Sequence, residues 1–309
     1  VGNNVQTTVA LIGGGPACVT TAIQLNRFGI DIRLIAEEIG GTIRNANLVE
    51  NLVGFPEGIK GMDFVNLIKA HLLNNKIPYI GEKVKSVEYD KTTFKIKTAN
   101  KEIHSKFLVV GTGSIAKKLN IDGEKEAFEQ NKLYYEVYNV KMHSQSKSVL
   151  IIGSGDVAYD YALNLANNAN DITIIQRTSK TKSLPILQKR VKNQKKIRIV
   201  KNREIIEIVP EKNKVTLLTK MEDMTIPMEA DIILVAIGRE PNIDFLSDEL
   251  KDENFNPTKN NRIYFVGDAK KGNYRQVSIA MGDGMKAAME IDKRLSLEED
   301  TDGTHSQIW

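Results

Sequence analysis

The order of apolar and polar positions repeats along the chain. A β-branched, apolar run at residues 9–12 enters a glycine-rich turn, followed by a helical stretch opened by Pro16 and stopped by Gly29. The same order returns in SVLIIGSGDVAYDYALNLANNANDITIIQR, where a strand, a glycine turn and a helix precede a second apolar strand at residues 172–175. Strand, turn and helix in this order predict a dinucleotide-binding unit. The first glycine permits a tight turn, the second lets the backbone approach a pyrophosphate, and the free N–H groups of the helix face that charge.

In the first repeat the key positions are Gly13 and Gly15, with Pro16 and Ala17 opening the helix and Cys18 in the third place, usually Gly or Ala. That place packs helix on strand, so Cys18 is read as a small buried hydrophobe. The next strand, DIRLIAEE, ends in Glu37 and Glu38, where a carboxylate meets ribose hydroxyls. In the second repeat Gly153, Gly155 and Ala158 fill the three positions, with Asp156 and Val157 between the last two. Two such sites imply two nucleotides. Here Gln176 and Arg177 stand where an acid would select a free 2′-hydroxyl, and Lys180 and Lys182 follow, which favours a 2′-phosphate. The two lysines read equally well as solvated loop charges.

Length, composition and charge narrow the class. With 309 residues, 41% apolar and 27% charged, the chain suits two globular domains. No apolar run approaches the length of a membrane span, and the polar opening VGNNVQTT leaves no room for a signal peptide, so a cytoplasmic protein without membrane contact is expected. A net charge of +4 does not argue for nucleic acid. The single cysteine excludes an internal disulfide, and four dispersed histidines predict no metal site.

In combination these motifs resemble the low-molecular-weight thioredoxin reductases and the ferredoxin-NADP+ reductases built on the same frame, over nearly the whole chain. The resemblance implies FAD at the first fingerprint and NADP(H) at the second. It implies flavin-site roles for Gly41 and Thr42, for Asn51 in VENLVGFPEGIKG, for Gly111 and Thr112 in LVVGTGS, and for Gly267 and Asp268 in RIYFVGDA. Arg275, Gln276 and Val277, in YRQVSIAMGDG, open the helix that would face the flavin pyrimidine. Independently of the resemblance, an apolar strand ending at Gly267 and Asp268 before this helix sets a carboxylate beside a helix dipole.

The departures from that frame matter more. The pattern of tyrosine, cysteine, two residues, cysteine and aspartate falls on residues 135–140, YEVYNV, so Glu136 and Asn139 replace the cysteines and Val140 replaces the acid. Disulfide reduction through this segment is excluded, since neither a thiolate nor a proton donor is present. The segment instead resembles the ferredoxin-NADP+ reductase branch. Thr42 replaces a customary glutamine, and Thr178 a customary second arginine.

The expected architecture is α/β, with two three-layer Rossmann-like dinucleotide-binding domains. A discontinuous FAD domain would span residues 1–115 and 240–309, with an NAD(P) domain at 116–239 between them. The expected activity passes hydride between NADPH and flavin N5, and single electrons between flavin and a ferredoxin or other small one-electron carrier. An oxidase or diaphorase and a non-catalytic redox sensor are the alternatives. The family implies a homodimer. Residues 187–203 carry eight Lys or Arg and no acid, a candidate dock for an acidic carrier or a plain solvated face. The last helix is expected to end near Leu295, and the tail beyond it to bring His305 or Trp309 over the flavin face.

Overall fold

The run that reads as the first strand alternates between two buried faces: Val9 and Leu11 enter one core cluster, Ala10 and Ile12 another. A strand covered on both sides must be apolar throughout, so its sequence looks continuous rather than alternating. The computed structural model describes residues 3–141, 143–251, 262–270, 272 and 274–301. It divides into one unit of Val1–Arg44, Glu50–Ser114 and Pro241–Trp309, and a second of Asn45–Val49 and Ile115–Glu240.

In the first unit the strands Tyr79–Ile80, Ile32–Ile35, Asn3–Ile12, Lys101–Val110, Phe94–Lys97 and Ser86–Tyr89 lie side by side in that order, and Ile263–Phe265 also pairs Lys101–Val110. The first four and Ile263–Phe265 are parallel, and the other two are antiparallel. The opening strand starts at Asn3, inside the polar residues, because its backbone pairs from Asn3 against Lys101 onward whatever the side chains. The helices Pro16–Arg27, Gly61–Asn74 and Val277–Thr301 supply Leu25, Phe64 and Ile291 to one core cluster with Val9 and Leu11.

The last helix continues past Leu295 to Thr301. Glu298, in the extra turn, pairs with Lys106 and with Arg262, so one acidic residue of the expected tail is held by cations distant in the chain. His305 and Trp309 lie outside the described residues.

In the second unit a parallel sheet runs Ile197–Val200, Asp171–Ile175, Ser148–Ile152, Ile232–Val235, Leu133–Tyr134. Val149, Ile151, Ile172 and Ile174 share one core with Tyr159, Ala162 and Leu165 of the helix Asp156–Leu165. Leu150, Ile152 and Ile175 share another with Ile208, Val215 and Leu217 of a three-stranded antiparallel sheet. Three layers result: helix, parallel sheet, antiparallel sheet. Among the described residues no helix is long and apolar enough to cross a membrane.

Candidate functional site

Each unit gathers its fingerprint residues at the carboxyl ends of parallel strands, where an open α/β sheet leaves a crevice. In the first unit the Gly13 N–H donates to the Ile35 carbonyl at 2.9 Å, and the Gly111 N–H to the Ile12 carbonyl at 2.9 Å. The Val266 N–H continues the row to Val110 at 3.0 Å. Gly13 is held at φ +125°, and a Cβ there would lie 2.2 Å from the Gly111 carbonyl oxygen, so no other residue fits. Gly15, the N-cap of the first helix, faces open space: a Cβ would meet nothing within 4 Å. That clearance at a helix N-terminus suits a pyrophosphate.

Cys18 sits behind this turn. It is buried, its Sγ lies 3.4 Å from the Ile12 carbonyl, and a Cβ on Gly111 would come within 2.5 Å of the sulfur. The absent side chain at Gly111 is what accommodates the thiol in the third fingerprint place. Burial pushes the Cys18 thiol up to about 12, so it stays protonated and unreactive.

Glu37 and Glu38 are both exposed after their strand, and Glu38 forms an ion pair with Arg44. Gly41 and Thr42 lie in the 3-10 helix Gly41–Asn45, Gly41 at φ +57°. Across the unit, the Asn51 amide donates to the Gln276 amide oxygen at 2.8 Å, which brings together two predicted residues 225 positions apart. Gly267 and Asp268 form a 3-10 turn after Ile263–Phe265. The Gly267 N–H donates to Asp283 at 3.1 Å, and Ser114 Oγ lies 3.4 Å from Asp268. Thr112 donates its hydroxyl to the Asn242 carbonyl. Arg275 is half-buried beside these residues in sequence, and Val277 begins the long helix. Local sequence signals did not single out Ser114, Asn242 or Asp283.

In the second unit the Gly153 N–H donates to Ile175 at 3.0 Å, and a Cβ on Gly153 would lie 2.4 Å from the Ala236 carbonyl oxygen. Gly155, like Gly15, looks onto open space, and Ala158 is fully buried against the sheet. Val157 is exposed at the start of the helix, while the Asp156 carboxylate accepts the Leu184 N–H at 2.7 Å. The Lys182 N–H donates to the Ser154 carbonyl at 2.9 Å, so the cationic loop folds back over the glycine turn. Arg177 is exposed, whereas Gln176 is turned inward. The Gln176 amide nitrogen donates to Tyr159 Oη at 2.9 Å, and its oxygen accepts from Thr181 at 3.1 Å. Gln176 therefore shapes the loop from within.

The segment that lacks cysteines holds a carboxylate network. Glu136 pairs with Arg239 at 2.8 Å, and accepts from Asn45 Nδ2 at 2.6 Å and from Tyr161 Oη at 3.1 Å. Asn45 Oδ1 in turn accepts the Tyr138 N–H at 3.1 Å, and Asp160 accepts the Asn47 N–H at 3.0 Å. Burial, then the nearby Glu136 charge, raises the Tyr161 hydroxyl well above its usual range, so it remains a donor to that carboxylate. Val140 is buried and apolar, and Asn139 is exposed.

Residues 7–284 match the family described as Pyridine nucleotide-disulphide oxidoreductase. The chain is 28% identical over 295 residues to the thioredoxin reductase of Bacillus subtilis (strain 168), covering 92% of this chain and 93% of that protein. It is 29% identical over 295 residues to a component of the alkyl hydroperoxide reductase of Staphylococcus aureus (strain MRSA252), covering 91% of this chain and 57% of that longer relative. Among solved structures it is similar to Lactococcus lactis thioredoxin reductase in the FR conformation, with a TM-score of 0.84, 25% identity and coverage of 94% of this chain and 99% of that one. The thioredoxin reductase of T. acidophilum gives a TM-score of 0.82 at 25% identity, with coverage of 94% and 99%.

Proposed function

The chain belongs to the pyridine nucleotide-disulphide oxidoreductase family, with FAD and NADP(H) as its cofactors, and from that premise we propose an electron-transfer function without a disulfide relay. In this reading the protein passes electrons between NADPH and a small one-electron carrier protein such as a ferredoxin. The observation that carries it is Glu136. Where the frame places the first relay cysteine stands a carboxylate already engaged by Arg239, Asn45 and Tyr161. A relay needs two thiols and an acid to protonate the leaving sulfur. This chain has one cysteine, buried, with its thiol pushed up to about 12.

The first unit would hold FAD: Gly13 and Gly15 against the pyrophosphate, Glu37 or Glu38 at the ribose, Asp268 at the ribityl chain, and Asn51 with Gln276 beside the ring. The open space at Gly15 and the two short polar turns at Gly111–Thr112 and Gly267–Asp268 support that fit. The second unit would hold NADP(H) over Gly153 and Gly155. FAD, when bound, supplies the exchange between hydride chemistry with nicotinamide and single-electron chemistry with a carrier. The side chains bind, orient and exclude water, and none is required as acid or base.

The helix Pro185–Lys192, the strand Ile197–Val200 and the residues that follow each carry Lys189, Lys192, Lys195, Arg198 and Lys201 as exposed cations, which supports an acidic carrier as the partner. A homodimer in the cytoplasm is part of the same proposal. In an anaerobic rapid-mixing experiment NADPH should bleach the flavin absorbance, and oxidised ferredoxin should then restore it. Enzyme-dependent release of thiols from a disulfide substrate such as thioredoxin would overturn the reading.

A further inference from the structure

The geometry points to Arg203 as a specificity-determining residue for the NADP(H) 2′-phosphate, an inference that rests on placing NADP(H) in the second unit. Between residues 172 and 203 the sequence has eleven Lys or Arg and no Asp or Glu, so any acid near this crevice comes from elsewhere. The position after Arg177 is not a cation but Thr178, whose hydroxyl is turned to the Lys180 carbonyl at 3.4 Å. One arginine there leaves a dianionic phosphate short of charge-assisted donors.

Arg203 supplies the missing group from the turn after the neighbouring strand. The Gln176 N–H donates to the Val200 carbonyl at 2.8 Å, and the Arg203 N–H donates back to the Gln176 carbonyl at 3.0 Å. That carbonyl belongs to the peptide joining Gln176 to Arg177, so the backbone of Arg203 is fastened to the backbone of Arg177. Asn202, at φ +56°, provides the left-handed step that turns the chain back after the strand Ile197–Val200. The opposite side of the crevice is fixed as well, by the Lys182 N–H on Ser154. The backbones of Arg177, Lys182 and Arg203 are thus held beside the carboxyl ends of three adjacent parallel strands, where a dinucleotide fold carries its adenosine ribose.

The state of the side chain agrees. Arg203 is half-buried, and its Nε is shielded from solvent with no hydrogen-bond partner. Its only guanidinium contact among the described residues is a 3.4 Å approach of Nη1 to the neighbouring Asn202 carbonyl. No carboxylate among them neutralises it. Burying a guanidinium donor unpaired is costly, and a 2′-phosphate would pair its charge as well as its N–H groups, whereas a 2′-hydroxyl offers a neutral acceptor alone. Asp156 is engaged by the Leu184 N–H, and the adjacent Glu204 is exposed and forms no ion pair with Arg203 among the described residues.

The test titrates FAD-loaded protein calorimetrically with 2′,5′-ADP and with 5′-AMP, probes that differ by the 2′-phosphate alone. The unmodified protein should prefer 2′,5′-ADP. Arg203→Ala should lose about tenfold in affinity for 2′,5′-ADP and less than twofold for 5′-AMP, the size of a lost charge-assisted bond. Arg203→Lys, which keeps the charge and the packing of the stem, should retain part of the preference and covers the case in which the alanine variant fails to fold. If the unmodified protein binds both probes equally, the assignment of NADP(H) to this unit fails. If it discriminates and both Arg203 variants discriminate equally well, that assignment stands and the role of Arg203 is overturned.

Discussion

Replacing Glu136 by alanine should loosen the second unit, by an amount that follows from its surroundings. The side chains of Arg239 and Glu136 are 13% and 27% exposed, so the pair lies between a buried ion pair and a surface one. Breaking a fully buried pair costs about 3–5 kcal/mol because the surviving charge is stranded, while an exposed pair contributes about 0–1 kcal/mol. Arg239 is the more enclosed partner and loses this carboxylate. The Asn45 and Tyr161 donors also lose their acceptor, at about 1 kcal/mol each where water cannot replace it. Solvent reaching the vacated volume offsets part of this, leaving about 2–4 kcal/mol. For a domain of this size that lowers Tm by roughly 5–10 °C. Glu136→Gln keeps an acceptor for one donor and should lose about half as much. Thermal melts of FAD-loaded protein, followed by far-ultraviolet circular dichroism, read the shift. Hydrogen exchange localises it, since the Tyr138 and Asn47 amides should lose protection when Asn45–Val49 comes free. Were Glu136→Ala to melt within about 1 °C of the parent with both amides still protected, the network would not hold this segment.

The Cys18 thiol, pushed up to about 12 by burial, should resist N-ethylmaleimide in the native protein at pH 7 and pH 9 alike, and react only after denaturation, as read by intact mass. Rapid alkylation at pH 9 would show an accessible thiolate. Gly284→Ala should separate the first and last helices, because the new Cβ would lie 2.2 Å from the Ala17 carbonyl oxygen and 2.9 Å from Thr21 Oγ1, backbone and a short side chain that cannot swing away. A cost of about 1–3 kcal/mol is expected from such overpacking. It should appear as earlier FAD release on heating, and an unchanged release temperature would mean that the helices relax freely.

Elements whose cause lies within a few neighbours were legible in the sequence. Both glycine turns, the strands before them and the helices after them depend on residues less than a turn apart, because a positive φ at Gly13 or a proline at the first helical position acts locally. The lack of paired cysteines was legible too, since counting one cysteine needs no geometry. The partnerships were not. The sequence has no local sign that Glu136 meets Asn45 and Arg239, that Asn51 meets Gln276, or that Arg203 fastens to Gln176. Each follows from which strand ends the sheets set side by side. The five residues Asn45–Val49 belong to the second unit because Glu136, Asp160 and Asn164 bind them, although the chain on either side belongs to the first. The last helix likewise outruns its sequence reading because Lys106 and Arg262, distant in the chain, hold Glu298. Local sequence specified backbone conformation, whereas charge pairing and hydrogen bonding across long separations were decided only when the sheets closed, because they depend on distances that neither composition nor periodicity encodes.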